Sequence, residues 1–360
     1  VFFNIIWDNL LSKYVRYDTS KIKDKISKYK NSFSYKFTPI SLKNKLTQDT
    51  IFIIEEQREE FPGLVIREVF SREYDYNSNI HLAHVLGETV IDRKTYHNPR
   101  FDNIDIKPID KGSGIEKYYN NKLKGVDGKE YRLFDVTGMD RGSYLGEIYQ
   151  NEQPVSGQDL NITIDIDLQN FINNTLNDLV GTVICMLPES GEIVAYVNNP
   201  SINLYEILED YSLYDNSPYL NRAISPYEPG SIMKVPVGVM LLEEGIDPNK
   251  KYFCDGAYEF SSPNQNPKRC WKEDGHGEVD LKDAIKFSCN IYFYESVMNN
   301  YKKIYKNKWH DWMDKMGFGR KTNIDLLYEK KAQISPPSSK SKMLNMVIGQ
   351  ELSTTPIQII

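Results

Sequence analysis

The feature that most constrains this chain is a Pro-Gly turn followed at once by an apolar helical run. The hexapeptide Pro229-Gly230-Ser231-Ile232-Met233-Lys234 precedes the apolar stretch from Val235 to Leu242. This order predicts a turn that opens a buried helix. Residues three positions apart share one face of a helix, so the Ser231 hydroxyl and the Lys234 amine are expected to lie side by side.

A serine and a lysine placed in this way can serve as a nucleophile and its base. The serine hydroxyl is a weak nucleophile unless a neighbour takes its proton, and a lysine can do so only once burial has lowered its pKa. The apolar residues between Val235 and Met240 can supply that burial. Because S-x-x-K alone is common, the alternative is an ordinary helix start with Ser231 as its cap and Lys234 in solvent.

Length and charge narrow the function classes. At 360 residues the chain is long enough for two or three domains, and its formal net charge of -6 argues against a nucleic-acid partner. The chain starts with Val1 and ends within the apolar run Ile357 to Ile360, which indicates a fragment cut at both ends. No stretch approaches the roughly twenty apolar residues that a membrane-spanning helix needs.

Near Gly157 the sequence changes from irregular segments to segments with clear hydrophobic periodicity. This change predicts two domains, residues 1–158 and residues 159–360. The first domain is predicted to be mixed and irregular. It contains a helix over 20–30, a second helix over 49–60 that Thr47 or Asp49 would cap, and a strand over 64–70.

The second domain shows cleaner periodicity. A strand is predicted over 161–166 and a helix over 167–179. Two apolar runs, 182–187 and 192–197, are joined by Pro-Glu-Ser-Gly and predict a β-hairpin, with Cys185 as a core residue of its first strand.

Two further features belong to the helices of this domain. Pro236 lies inside the helix that follows Ser231 and is expected to cost a backbone hydrogen bond before that helix ends at Gly245. Asp280 is predicted to cap a helix from Leu281 to about Phe287.

The triplet Ser288-Cys289-Asn290 stands at the end of that short helix, 57 positions after Ser231. If the turn is extended, Ser288 and Asn290 point the same way. Ser288 could then relay a proton near Lys234 while Asn290 binds a substrate amide. The alternative is a helix end that is simply rich in small polar residues.

The order S-x-x-K then S-x-N is the signature of penicillin-recognising serine enzymes. Further motifs make the chain resemble the class B penicillin-binding proteins, and within them the elongation subtype, penicillin-binding protein 2. The motifs that carry the resemblance are 83–87 (AHVLG), 111–116 (KGSGIE), 188–195 (PESGEIVA), 221–223 (NRA), 228–231 (EPGS), 275–277 (GHG), 348–351 (IGQE) and 355–358 (TPIQ).

The resemblance implies an α+β multidomain fold. An N-terminal pedestal of the dimerisation type would precede a partial transpeptidase domain like that of serine β-lactamases, with an antiparallel sheet and helices. It also implies a peptidoglycan D,D-transpeptidase of cell-wall elongation, in which Ser231 attacks a D-Ala-D-Ala stem peptide and forms an acyl-enzyme. Lys234 would be the base, Ser288 the proton relay, and the Ser231 N–H half of the oxyanion hole.

Partners and location follow from the same resemblance. Stem peptides and β-lactams would be the ligands, and a membrane glycosyltransferase and elongation-complex proteins the partners. The domain would lie in the periplasm, anchored to the inner membrane by a segment upstream of Val1.

Two departures from the family pattern matter. The third motif, K-[ST]-G, is absent, because Lys321-Thr322-Asn323 lacks the glycine and lies too early. In the family this motif follows the Thr-Pro-x-Gln segment, so the fragment is expected to be inactive as given. Position 290 is Asn where many elongation enzymes carry Asp, and only Asn can also donate a hydrogen bond.

Three cysteines and a histidine provide a possible zinc site. Cys254, Cys270, His276 and Cys289 suit tetrahedral zinc, although their spacing is unlike that of a zinc finger. Some elongation-class relatives carry a metal in this loop, and Asp255 is the substitute ligand if Cys254 points away. The alternative is a disulfide between Cys254 and Cys270.

Competing functions remain open at this point. A β-lactam sensor would keep the acylating serine, and a scaffold would mainly dock partners of the elongation machinery through the pedestal. A hydrolytic β-lactamase is disfavoured because no deacylation base of the class A kind is present.

Overall fold

The computed structural model of the protein describes residues 46–57, 66, 82–87, 89–90, 111–126, 128–134, 136, 140–201, 217–260, 266–304 and 307–360. The helix predicted over 20–30 lies outside these residues, and so does the strand predicted over 64–70 apart from Ile66. Within the described ranges, no helix has the length and apolar character needed to cross a bilayer.

Helices and short antiparallel strands make up the described chain, so the predicted α+β class is confirmed. The helices are α1 (Gln48–Glu56), α2 (Ala83–Leu86), α3 (Gly114–Tyr118), α4 (Asn120–Leu123), α5 (Ile166–Leu176), α6 (Lys234–Glu243), α7 (Leu281–Lys286), α8 (Asn290–Asn299), α9 (Tyr301–Ile304), α10 (Asn307–Lys315), α11 (Lys340–Val347) and α12 (Pro356–Ile359). The strands are β1 (Thr89–Val90), β2 (Lys111–Gly112), β3 (Arg132–Phe134), β4 (Asp140–Ser143), β5 (Gly181–Met186), β6 (Ile193–Asn199), β7 (Tyr252–Cys254), β8 (Ala257–Tyr258), β9 (Lys268–Arg269) and β10 (Gly277–Val279). They pair as β1–β2, β3–β4, β5–β6, β7–β10 and β8–β9.

The described residues form two compact units. The first consists of those within Val1–Asp75, Glu88–Gly112 and Tyr119–Asn161, and the second of those within Tyr76–Gly87, Ser113–Tyr118 and Ile162–Ile360. The second unit therefore includes the two short helices α2 and α3. The domain boundary between residues 158 and 159 stays a prediction.

In the first unit, α1 starts where the sequence predicts a cap. The Thr47 hydroxyl accepts a hydrogen bond from the Thr50 N–H at 3.3 Å, which satisfies one of the free donors of the first turn. Of the two predicted caps, Thr47 is the one that the structure uses. The helix ends at Glu56, earlier than predicted, and residues 58–60 lie outside the described part.

At the start of the second unit, the predicted strand over 161–166 is wrong. The Asp165 carboxylate accepts the N–H groups of Asp167 and Leu168 and begins α5 at Ile166, so the segment becomes a helix cap. The segment still runs beside β6, because the Asp165 N–H donates to the carbonyl of Val194 at 2.9 Å.

The predicted hairpin is confirmed as β5 and β6, which pair antiparallel from Gly181 opposite Asn199. The register shifts between Cys185 and Met186, and Cys185 is only half-buried, so it fills the core less completely than expected. Buried Gln169 of α5 bonds to both backbone groups of Tyr196 and so attaches the helix to β6.

The core of the second unit is built around α8, which buries six of its ten residues. This helix packs against α6, α7, α9, α11 and β7. Phe293 is fully buried, and burial of one such side chain contributes about 1.5–3 kcal/mol.

Pro236 lies nearer the start of its α-helix than the sequence predicts. A 3-10 turn, Gly230–Met233, precedes α6, and α6 begins at Lys234. Pro236 therefore lies in the first turn of the α-helix, where proline is tolerated better than in the helix interior. The helix ends at Glu243, just before left-handed Gly245.

Candidate active site

Ser231 and Lys234 lie at the junction of the 3-10 turn and α6. Gly230 has a φ of 62°, a left-handed value that glycine adopts without a side-chain clash. The Nζ atom of Lys234 is 3.1 Å from the Oγ atom of Ser231. The structure thus brings together the two side chains that the S-x-x-K spacing predicts to be neighbours.

The Lys234 amine is buried among oxygen atoms. Its residue is 2% exposed, and beyond Ser231 its Nζ lies 2.9 Å from Ser288 Oγ, 2.8 Å from the Ser288 carbonyl oxygen and 2.6 Å from Asn290 Oδ1. Burial lowers the pKa of Lys234 to about 8, although negative charge on two nearby cysteine thiols acts in the opposite direction. A larger share of the amines is therefore neutral near pH 7 than for an exposed lysine.

The S-x-N triplet forms a tight corner between two helices. α7 ends at Lys286 and α8 begins at Asn290, while Ser288 has a left-handed φ of 53°. The turn at Ser288 is therefore left-handed and not extended, and this residue directs both its hydroxyl and its carbonyl toward Lys234. A non-glycine residue in this conformation costs about 1–3 kcal/mol and is typical of functional sites.

The Asn290 amide is engaged on both sides. Its Oδ1 meets Lys234, and its Nδ2 donates to the Arg269 carbonyl at 3.1 Å. An amide nitrogen carries two hydrogens, so one remains for a substrate carbonyl. In the structure Asn290 orients the lysine, whereas the role predicted for it from the sequence is substrate binding.

Local capping sets the position of the corner. The Asp280 carboxylate accepts the Asp283 N–H at 2.9 Å, so the predicted cap of α7 is confirmed. At the other end the Cys289 N–H donates to the Ala284 carbonyl at 2.9 Å, which closes the helix directly before α8.

Gly349 supports the turn that carries Ser231, a role that its place in a family motif does not reveal. The Gly230 N–H donates to the Gly349 carbonyl at 3.0 Å, and a Cβ added to Gly349 would lie 2.0 Å from the Gly230 carbonyl oxygen. Nearby, the Glu228 carboxylate accepts the Glu351 N–H at 3.0 Å. Only glycine allows the two backbones to approach this closely.

Cys254, Cys270, His276 and Cys289 converge on one point, with their ligand atoms all within 4.8 Å of one another. His276 Nδ1 lies 3.6 Å from the sulfur atoms of both Cys254 and Cys270. Zinc with its usual bond lengths and a tetrahedral angle places nitrogen and sulfur ligands about 3.6 Å apart. The donor set and its geometry therefore fit zinc.

The alternatives to this ligand set concern Cys254 and Asp255. In the structure all three cysteines of the cluster are free thiols, and the Cys254–Cys270 disulfide stays an alternative for experiment to test. The substitute ligand Asp255 instead accepts the Ala257 N–H at 3.1 Å. A hydrogen bond between Cys270 and Cys289 lowers the pKa of the first thiol and raises that of the second.

A serine beside a buried lysine, with a second serine and an amide on the same amine, is the arrangement of penicillin-recognising serine enzymes. Residues 181–360 match the penicillin binding protein transpeptidase domain, and residues 7–162 match the penicillin-binding protein dimerisation domain. The chain belongs to the penicillin-binding proteins, as the motifs predict.

Individual relatives point to the elongation subtype. The chain is 30% identical over 355 residues to the peptidoglycan D,D-transpeptidase MrdA of Haemophilus influenzae, an alignment that covers 90% of this chain and 52% of the relative. The structure resembles Pseudomonas aeruginosa PBP2 in complex with WCK 5153, with 25% identity, a TM-score of 0.60, and 78% of this chain and 61% of that chain covered. It also resembles the fold of Helicobacter pylori PBP2 in its complex with MreC, with 23% identity, a TM-score of 0.67, and 94% and 69% covered.

The chain spans about half the length of the curated relatives it matches. Those relatives are named peptidoglycan D,D-transpeptidases.

Proposed function

We propose that the protein is a serine-type D,D-transpeptidase that cross-links peptidoglycan stem peptides during cell elongation. The observation that carries this proposal is the convergence of Ser231 Oγ, Ser288 Oγ and Asn290 Oδ1 on the buried amine of Lys234. The relatives named as peptidoglycan D,D-transpeptidases support the same reaction.

The acylation half of the reaction uses the lowered pKa of Lys234. The neutral amine takes the proton of Ser231 Oγ as this oxygen attacks the carbonyl of the D-Ala-D-Ala bond. The Ser231 N–H donates to the developing oxyanion. Proton transfer from Lys234 through Ser288 Oγ to the departing nitrogen then releases D-Ala as a neutral amine and leaves an ester on Ser231.

The second half reverses these roles. An amine of a neighbouring stem peptide attacks the ester, Lys234 and Ser288 pass its proton back to Ser231 Oγ, and the new amide leaves. A β-lactam has an amide of the same kind and acylates the same serine.

Location and partners belong to this proposal. The catalytic domain acts on the periplasmic side of the inner membrane, held by an N-terminal anchor, and works with a membrane glycosyltransferase and other elongation-complex proteins. Support comes from the solved complex of H. pylori PBP2 with MreC and from a peptidoglycan synthase complex that couples polymerisation to crosslinking.

We infer further that Cys254, Cys270, His276 and Cys289 hold one structural zinc ion. Four protein ligands leave no open position for water, so the ion would fix the backbone on both sides of Cys289 and take no part in acyl transfer. Its presence explains why a histidine nitrogen faces buried sulfurs in the described structure.

Zinc content tests the metal. The full-length protein, purified without chelators, is expected to carry one zinc per chain by elemental analysis. Cys254→Ala is expected to lose the zinc and Cys185→Ala, a control on β5, to keep it. No bound metal, or a mass two units below that of the reduced protein, contradicts the zinc and supports a disulfide.

Covalent labelling tests the reaction. Fluorescent penicillin is expected to label the full-length protein and Ser190→Ala, a control in the β5–β6 turn, but not Ser231→Ala. The unsubstituted protein is also expected to transfer a D-Ala-D-Ala donor peptide to an acceptor amine. Equal labelling of Ser231→Ala, or labelling without transfer, contradicts the transpeptidase.

A further inference from the structure

Trp271 combines an exposed ring with hydrogen bonds to the catalytic corner. The residue is 65% exposed, so its ring gains little from burial. Its indole Nε1–H nevertheless donates to the carbonyl oxygens of Phe287, at 3.0 Å, and of Ser288, at 3.1 Å. Because its ring is mostly exposed, the position of the Trp271 side chain depends on these two hydrogen bonds.

The Ser288 carbonyl oxygen, which accepts from Trp271, also contacts the catalytic lysine. The same carbonyl oxygen lies 2.8 Å from Lys234 Nζ, so the lysine and the indole occupy its two lone pairs. Ser288 is also the left-handed residue of the corner, and its hydroxyl and carbonyl oxygens lie 2.9 Å and 2.8 Å from Lys234 Nζ. A donor fixed on that carbonyl opposes rotation of the peptide away from Lys234.

The chain segment that carries Trp271 contacts the other end of the triplet as well. Arg269, two residues earlier, accepts the Asn290 Nδ2–H at 3.1 Å. The ring of Trp271 also packs edge-on against His276, at a centroid distance of 5.4 Å. Segment 269–271 therefore holds the catalytic corner at Ser288 and at Asn290.

We propose that Trp271 is a positioning residue for acyl transfer, which it serves by holding the Ser288 peptide so that the Ser288 hydroxyl and carbonyl both face Lys234. This inference rests on the proposed function. It requires the indole N–H specifically, since the ring itself has little burial to lose.

The N–H can be removed while the ring is kept. In the full-length protein, Trp271→Phe removes the donor, and the benzothienyl analogue of tryptophan, incorporated at 271, replaces the N–H by sulfur at nearly constant shape. Both are expected to lower the rate constant of penicillin acylation about three- to tenfold, the effect of one hydrogen bond, with the noncovalent dissociation constant unchanged. Phe253→Ala removes a ring that is 68% exposed on β7 and should acylate like the unsubstituted protein.

The rate constant and the amplitude of penicillin labelling distinguish a positioning role of Trp271 from a role in folding. A merely structural role would reduce the fraction of protein that becomes labelled and leave the rate constant of the folded fraction intact, so that pattern overturns the proposal. An unchanged rate constant with the benzothienyl analogue overturns it too. If the unsubstituted protein shows no Ser231-dependent labelling, the proposed function is wrong. If the unsubstituted protein is labelled and the Trp271 variants are labelled at the same rate, only the proposed role of Trp271 is wrong.

Discussion

Gly349→Ala is expected to damage the site through the Gly230 backbone, which Gly349 contacts. The residue has a φ of 80°, and the added Cβ would lie 2.0 Å from the Gly230 carbonyl oxygen and 2.6 Å from its nitrogen. Left-handed alanine costs about 1–2 kcal/mol, and a forced displacement of packed atoms costs about 1–3 kcal/mol more. The expected loss of stability is therefore about 2–5 kcal/mol.

Gly245→Ala is the matched control. Gly245 has a similar φ of 72°, but no atom lies within 4 Å of its added Cβ. This variant should lose only the backbone term of about 1–2 kcal/mol. For domains of this size each kcal/mol lowers the melting temperature by about 2–4 °C, so the two variants are separable by thermal unfolding.

The rate of acylation should distinguish Gly349→Ala from Gly245→Ala further. To admit the new Cβ, the Gly230 backbone must move, and Ser231 moves with it away from Lys234. A misplacement of about 1 Å costs about a hundredfold in rate, so Gly349→Ala is expected to label with penicillin far more slowly than Gly245→Ala. Equal labelling rates and equal melting temperatures for the two variants would refute the close-approach argument.

Three further outcomes are expected. The acylation rate constant should rise with pH and level off above the pKa of about 8 that burial gives Lys234, because only the neutral amine takes the serine proton; a flat profile from about pH 6 to about pH 9 contradicts this. Ser288→Ala keeps the 2.8 Å carbonyl contact but loses the hydroxyl 2.9 Å from Lys234, and should slow acylation about 10²–10⁴-fold with little change in melting temperature. Asp280→Ala should cost about 1 kcal/mol of stability through loss of the α7 cap, and an unchanged melting temperature would show that the cap is not needed.

The parts of the site that the sequence predicts are those set by short-range geometry. The neighbourhood of Ser231 and Lys234 follows from residues three apart at a helix start, and the Asp280 cap from one side chain and the next turn. The prediction of a strand over 161–166 is wrong, and its cause is also local. The Asp165 side chain caps a helix there, and the segment does not join the sheet.

What the sequence does not predict depends on segments far apart in the chain. The approach of Gly349 to Gly230 joins residues more than a hundred positions apart, and no local pattern encodes it. The left-handed conformation of Ser288 also cannot be predicted from residue propensities. Serine disfavours this conformation, and the contacts from Lys234 and Trp271 hold it in place.

The catalytic corner and the cysteine cluster share one backbone segment, 288–290, and this explains how a strained residue persists there. Ser288 costs about 1–3 kcal/mol in its left-handed conformation. Against this cost stand a fully buried Cys289 side chain in the cluster, the Cys289 N–H bond to Ala284, and the two donors on the Ser288 carbonyl. Because that corner supplies the oxygens around Lys234, the burial that lowers the lysine pKa depends on the same contacts. The base strength of Lys234 is therefore a property of the loop that covers it as much as of the S-x-x-K motif.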